Sequence, residues 1–131
     1  MTLTYTELHT FLKAAEAYLG SSDRPDGKFT YAVLKVKKAA TALFQKYQDA
    51  VSDLEVEHAT EENGKLLRDG QGRYVYSREN QLALNHAIRT WHVKTIELDG
   101  FIAPESSIPA EVPGVILDAF DGLIIERDQA A

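Results

Sequence analysis

Apolar positions recur at helical spacing in three places along this chain. Leu8, Phe11, Leu12, Ala15 and Leu19 fall on one face of a helix. Thr4 and Glu7 stand three apart just ahead of them, the spacing of a capping box. Gly20 follows as a C-cap, so the pattern predicts a first helix over residues 5–19. Pro25 and Asp26-Gly27 mark residues 21–27 as a loop. A longer stripe then runs through Val33, Val36, Ala40, Leu43, Phe44, Tyr47, Val51, Leu54 and His58, and predicts a second helix over about 30–60, stopped by Asn63-Gly64. At 1.5 Å per residue that helix is ~45 Å long. A compact domain of this size is only roughly 36 Å across, so one end of the helix is expected to project and meet another chain. Ser77 caps a third helix over about 78–91, with Leu84, Ala87, Ile88 and Trp91 inward.

Between the second and third helices the period changes. Residues 65–68 and 73–76 flank Asp69-Gly70-Gln71-Gly72, and together they predict a hairpin over 65–76. Residues 92–98 read as a strand on Val93, Ile96 and Leu98. The last third is less regular. Phe101-Ile102 reads as an apolar anchor, and Pro104, Pro109 and Pro113 preclude long regular structure between them. Pro113 suits the first turn of a short helix through Asp121, with Val115, Ile116, Ala119 and Phe120 buried and Gly122 ending it. Leu123-Ile124-Ile125 closes the apolar pattern ahead of a frayed tail at 127–131. The fold expected is α+β and helix-dominated, with three main helices, a short C-terminal one and a small β hairpin or sheet. One domain over residues 1–131 is expected, with a less regular part at 99–126. Trp91, Leu84 and Phe44 are expected to be buried together, with Trp91→Ala costing about 3–5 kcal/mol.

Composition narrows the function classes. Hydrophobic content of 44% with five Phe, six Tyr and one Trp is enough for a packed core. The absence of Cys removes disulfides, thiolate metal sites and a Cys nucleophile, and fits a reducing compartment. The first residues carry no basic region and no apolar core, so no signal peptide is expected. No apolar run approaches the ~18 residues of a membrane span.

The layout of charge is the most informative property. The net charge is −6, but residues 28–46 hold five lysines and no acid, while residues 49–62 hold six acids and no base. A helix N-terminus carries partial positive charge and favours acids, so the second helix has its charges on the wrong ends for its own stability. Two readings of Lys35, Lys37 and Lys38 stand. One is a solvated face that pairs with acids elsewhere in the chain, as surface charge runs usually do. The other is a face that binds an anion or an acidic partner. The negative total disfavours direct binding to nucleic acid. An acidic face built on Asp53, Glu57 and Glu61 suits a basic partner surface or a mimic of nucleic acid.

No catalytic, cofactor or metal constellation emerges. Glu55 and His58 have the spacing of a carboxylate–histidine ligand pair, but di-metal bundles need that pair twice with two more carboxylates. His86 and His92 fall six apart, on opposite faces of a continuous helix. No serine stands in a Gly-x-Ser-x-Gly elbow. Residues 69–72 lack the Lys-Ser/Thr of a phosphate loop. Tyr74 and Tyr76 beside Arg68, Arg73 and Arg78 have the makings of a base-stacking surface, although alternating tyrosines in a hairpin more often pack the sheet.

The order of parts resembles that of a family of small proteins encoded by tailed phages and prophages. It comprises a leading helix with Leu8 and Phe11-Leu12, then a second helix rich in Lys (35–38) and later in Glu (61–62). Next come an Asn63-Gly64 and Gly-rich hairpin, a third helix, the Ile96-Glu97-Leu98 strand and a terminal Leu123–Glu126 segment. The Trp91-His92 segment and the proline-rich 104–113 stretch depart from that layout. The resemblance implies an accessory or structural role in the bacterial cytoplasm or the phage particle, and no catalytic residues. Two functions are therefore expected. The first is a non-enzymatic interaction or assembly protein, homo-oligomeric through its long helix and with a host or phage protein partner. The alternative is an acidic-surface inhibitor of a host defence or nucleic-acid-binding protein. No cofactor and no membrane contact are expected.

Overall fold

The computed structural model describes residues 1–21 and 25–126. The expected frayed tail and the middle of the 21–27 loop lie outside the described residues. The fold is helix-dominated α+β. The elements are β1 (Thr2–Thr4), α1 (Tyr5–Leu19), α2 (Lys28–His58), β2 (Glu61–Glu62), β3 (Lys65–Leu66), α3 (Arg78–His92), β4 (Thr95–Glu97), a 3-10 turn at Glu105–Ser107 and α4 (Gly114–Phe120). They divide into two compact units. One combines Met1–Phe44 with the chain from Thr95 onward, and the other is Gln45–Lys94.

In the first unit, α1 begins where its sequence says it should. The Thr4 hydroxyl accepts from the Glu7 N–H at 3.2 Å and the Glu7 carboxylate accepts from the Thr4 N–H at 2.9 Å, closing the capping box. Gly20 caps the other end in a right-handed conformation, with its N–H on the Glu16 carbonyl at 2.9 Å. The buried face of α1 carries Leu8, Phe11, Leu12, Ala15 and Tyr18. The buried residues of α2 in this unit include Phe29, Ala32, Val33, Val36 and Ala40. An aromatic cluster ties these helices to α4. Phe120 lies 5.6 Å from Phe11, 5.9 Å from Phe29 and 6.4 Å from Tyr18 between ring centroids. Thr30, the one buried polar side chain recorded among the described residues, is satisfied twice. Its hydroxyl donates to the Pro25 carbonyl at 2.6 Å, so the Tyr18 hydroxyl at 2.7 Å donates to it.

A two-stranded antiparallel sheet closes one side of this unit. β1 pairs with β4 in the register Thr2↔Glu97, Leu3↔Ile96 and Thr4↔Thr95. The pairing continues past the strands, since the Leu98 N–H donates to the Met1 carbonyl at 2.9 Å. The chain then runs beside the final apolar segment, with the Phe101 and Ala103 N–H groups donating to the Leu123 and Ile124 carbonyls, both at 2.8 Å. Leu123, Ile124 and Ile125 are buried as the sequence predicts, and Gly122 takes a positive φ of 83° just after α4. Two expectations fail here. Of the four α4 residues expected to be buried only Phe120 is, with Ile116 and Ala119 half-buried and Val115 75% exposed on the outer face of a helix only seven residues long. Phe101 and Ile102 are exposed as well, since the backbone of their segment, and not these two side chains, is what pairs with the core.

In the second unit, α2 ends at His58, and Asn63-Gly64 does not stop it. Asn63 (φ 54°) and Gly64 (φ 78°) instead form the two-residue turn joining β2 to β3, paired Glu61↔Leu66 and Glu62↔Lys65. Both central residues with positive φ is the requirement of a tight hairpin turn. The chain then turns back through an isolated antiparallel Arg68↔Tyr74 bridge, and among the described residues no strand is formed at the expected 73–76 because Lys65–Leu66 pairs with Glu61–Glu62 instead. Three backbone bonds tie the segments into a ring. The Thr60 N–H donates to Val75, the Val75 N–H to Leu67, and the Leu67 N–H to Thr60, at 2.8, 3.1 and 2.9 Å. α3 starts at Ser77, whose hydroxyl accepts from the Asn80 N–H at 3.1 Å, and its Leu84 is buried.

Of Trp91, Leu84 and Phe44, expected to be buried, only Leu84 is. Trp91 is half-buried in the last turn of α3, with its ring 6.4 Å from Tyr47 and the Lys94 ammonium 3.9 Å from its centroid. Phe44, also half-buried, belongs to the first unit and meets the His9 ring edge-on at 5.4 Å. The physical reason is position: the apolar stripe of α2 is fully buried at Val33, Val36 and Ala40 and only half-covered from Leu43 to His58. Trp91→Ala is therefore expected to cost about 1–2 kcal/mol in urea unfolding, less than a fully buried aromatic would. A loss above about 3 kcal/mol would show that the ring is more deeply packed.

Candidate functional site

The two charge clusters singled out in the sequence occupy different units. Lys35, Lys37 and Lys38 lie on the first half of α2, in the unit that begins at Met1. Lys35 and Lys38 are exposed and Lys37 is half-buried beside the packed stripe. Asp53 and Glu57 lie on the later part of α2 and Glu61 on β2, all exposed, in the Gln45–Lys94 unit. α2 opens on Lys28 with no acid in its first turn, so the inverted charge order is a property of the folded helix. Ion pairs with the C-terminal acids do not absorb it: among the described residues, none of these six charges takes part in an ion pair.

The lysine cluster has apolar company that sequence reasoning missed. Tyr31 and Leu34 share the outward face of α2 with Lys28, Lys35 and Lys38, and are 57% and 48% exposed. The Phe101 ring packs 5.6 Å from Tyr31, near-perpendicular, and the Lys35 ammonium stands 4.5 Å above the same ring. Gly27, Lys28, Tyr31, Phe101, Ile102 and Pro104 line a hollow of about 560 Å³. Phe101 and Ile102 reach it from a segment pinned to the core by backbone bonds, which leaves their side chains facing out. The sequence signal was present in the Gly100-Phe101-Ile102 triplet, but apolar residues beside a glycine read equally well as a buried anchor.

The acidic cluster has a single apolar neighbour of note. Val56 is 46% exposed and stands one helical turn from Asp53 and next to Glu57. On the same helix His58 turns its Nδ1–H to the Leu54 carbonyl at 2.8 Å. Among the described residues no group of three His, Cys, Asp or Glu is placed to hold a metal ion. The tyrosines of the second unit serve packing. The Arg68 guanidinium covers one face of Tyr74 at 4.3 Å and donates to the Gly72 carbonyl at 2.9 Å. Burial, with Glu55 and Tyr74 adding to it, holds the Tyr76 hydroxyl above the ordinary tyrosine range. Burial does the same to Tyr47, whose hydroxyl lies 2.5 Å from His92 Nε2.

Among the described residues no helix is long and apolar enough to cross a membrane. No family model matches the chain, and no curated protein or solved structure is significantly similar to it.

Proposed function

We propose that the chain is a non-enzymatic interaction or assembly module that self-associates through α2. The observation supporting this reading is the order of charge along that helix. Exposed Tyr31 and Leu34 accompany the exposed Lys28, Lys35 and Lys38 toward its start, and exposed Val56 accompanies the exposed Asp49, Asp53 and Glu57 toward its end. This order opposes the helix dipole, so the helix's own stability does not account for it. A second copy running antiparallel would set the basic half of one α2 against the acidic half of the other. We read the setting as phage-borne, and the order of parts along the sequence is its sole support.

Light scattering across a concentration series tests the reading. The apparent mass is expected to rise with concentration at low salt and to fall back as salt is added, because exposed charges are screened within about 10 Å at 0.1 M. A constant monomer mass at every concentration and salt would remove it. The alternative, an acidic decoy for a basic host surface, uses the same exposed Asp53, Glu57 and Glu61. Converting all three to Lys is expected to abolish self-association in the first reading. In the decoy reading self-association is unchanged and only capture of a basic partner is lost. Circular dichroism should show the helix content retained, since exposed substitutions perturb folding little.

A further inference from the structure

The hollow lined by Tyr31, Phe101, Ile102 and Pro104 is apolar at its walls and cationic at its edge, where Lys28 lines it and Lys35 stands above Phe101. Among the described residues neither lysine makes an ion pair. An apolar centre with a charged rim is the anatomy of a protein contact, and the rim calls for an occupant that brings carboxylates with an apolar side chain between them. We infer that the occupant is the stretch of α2 around Val56 from a second copy of this chain. This rests on the self-association reading and names its contact.

Charge sets Val56 apart from Leu82 and Val93, and its stretch carries more acid than the short helix of Val115, where Asp118 alone is acidic. Leu82 stands one turn from both Arg78 and Glu79, whose charges cancel, and Val93 stands beside Lys94 and one turn from Arg89, so neither brings net negative charge to Lys28 and Lys35. Val56 brings Asp53 and Glu57, both exposed, within a stretch of six acids and no base. In the docked pair the Val56 side chain covers Tyr31 and Phe101, and the two carboxylates reach Lys28 and Lys35. Six lining residues are fewer than the roughly 20–30 per side of a standard stable interface. The association is accordingly weak, seen only at high protein concentration, and sensitive to salt.

Charge exchange between two variants of the full chain tests this contact. Lys28→Glu with Lys35→Glu makes the first variant, and Asp53→Lys with Glu57→Lys the second. Sedimentation equilibrium of each alone should give a dissociation constant raised by about tenfold or more. An equimolar mixture should recover association close to that of the unaltered chain, because each reversed surface then meets its complement. Tyr31→Ala, an exposed change, should weaken association by a similar factor without altering the circular dichroism spectrum. If the unaltered chain associates but the mixture stays as weak as its components, the contact is wrong and the self-association reading survives. A loss produced by Asp118→Lys, and not by the Asp53 and Glu57 changes, would overturn the assignment to Val56 in favour of Val115. An unaltered chain that remains monomeric throughout overturns both.

Discussion

Phe120→Ala is expected to remove about 3–5 kcal/mol of stability, the range for deleting a fully buried aromatic ring. Phe120 is fully buried, and its ring is within 6.4 Å of Phe11, Tyr18 and Phe29 between centroids. Those three come from α1 and the start of α2, so one side chain joins three helices of the first unit. Collapse around the gap would require α1 and α4 to move together, and both are tied elsewhere. The Thr4–Glu7 capping box fixes the start of α1, and the Phe120 carbonyl accepts from the Leu123 and Ile124 N–H groups at 3.0 and 2.9 Å. Domains of this kind have a total stability of about 5–15 kcal/mol, so the variant should lose a large share of it. Urea unfolding followed by circular dichroism measures the effect as a lower midpoint with an unchanged slope. Val115→Ala is the control on the same helix. At 75% exposure it should fall within about 0.5 kcal/mol of the parent. Equal losses at both positions would mean that the face of α4 has been misassigned.

What the sequence made legible was local. Thr4, Glu7, the α1 stripe and Gly20 all act within a few residues of one another, and α1 was bounded by them at 5–19 as observed. The stripe of α2 was in phase too, from Val33 to His58. Its depth of burial was not legible, because that depends on which distant segments cover each turn. Asn63-Gly64 carried the right conformational message and the wrong context. Positive φ serves a helix stop and a hairpin turn alike, and only the pairing of Glu61 with Leu66 decides between them. β1 was missed for a related reason: three residues are too short for a periodicity, and the partner strand Thr95–Glu97 lies far along the chain.

The candidate site divides along the same line. Lys35, Lys37, Lys38, Asp53, Glu57 and Glu61 stand out as charge blocks in any reading of the sequence, and all but Lys37 are exposed in the fold. The hollow could not be read, because half of it comes from Phe101, Ile102 and Pro104. Their placement against Tyr31 follows from backbone bonds to Leu123 and Ile124, which no local pattern encodes.

Those bonds set up the second large effect, at Gly100. An alanine there is expected to destabilise the protein by about 1–3 kcal/mol, as overpacking does. A Cβ built on Gly100 would stand 2.7 Å from the Leu123 carbonyl oxygen and 3.0 Å from the Leu123 Cα. Both obstructing atoms are backbone, so no rotamer change relieves them. Moving that backbone strains the Phe101 N–H bond to the same Leu123 carbonyl, which is 2.8 Å long. The opposing effect is the lower chain entropy of unfolded alanine, about 0.4–1 kcal/mol in favour of the variant. The clash is the larger of the two, so the sign is destabilising. Gly70→Ala isolates the entropy effect, since nothing lies within 4 Å of the added carbon there. That variant should be neutral or slightly stabilised in the same urea titration. The Gly100 change reaches function through its neighbour. Shifting the 100–103 segment moves Phe101 away from Tyr31 and Lys35, the wall and rim of the hollow. Gly100→Ala should therefore weaken self-association at concentrations where the protein is still folded, and Gly70→Ala should not. A Gly100→Ala protein as stable as its parent would show that the 100–103 segment is not held against Leu123, and Phe101 would lose the anchorage that makes the hollow a fixed surface.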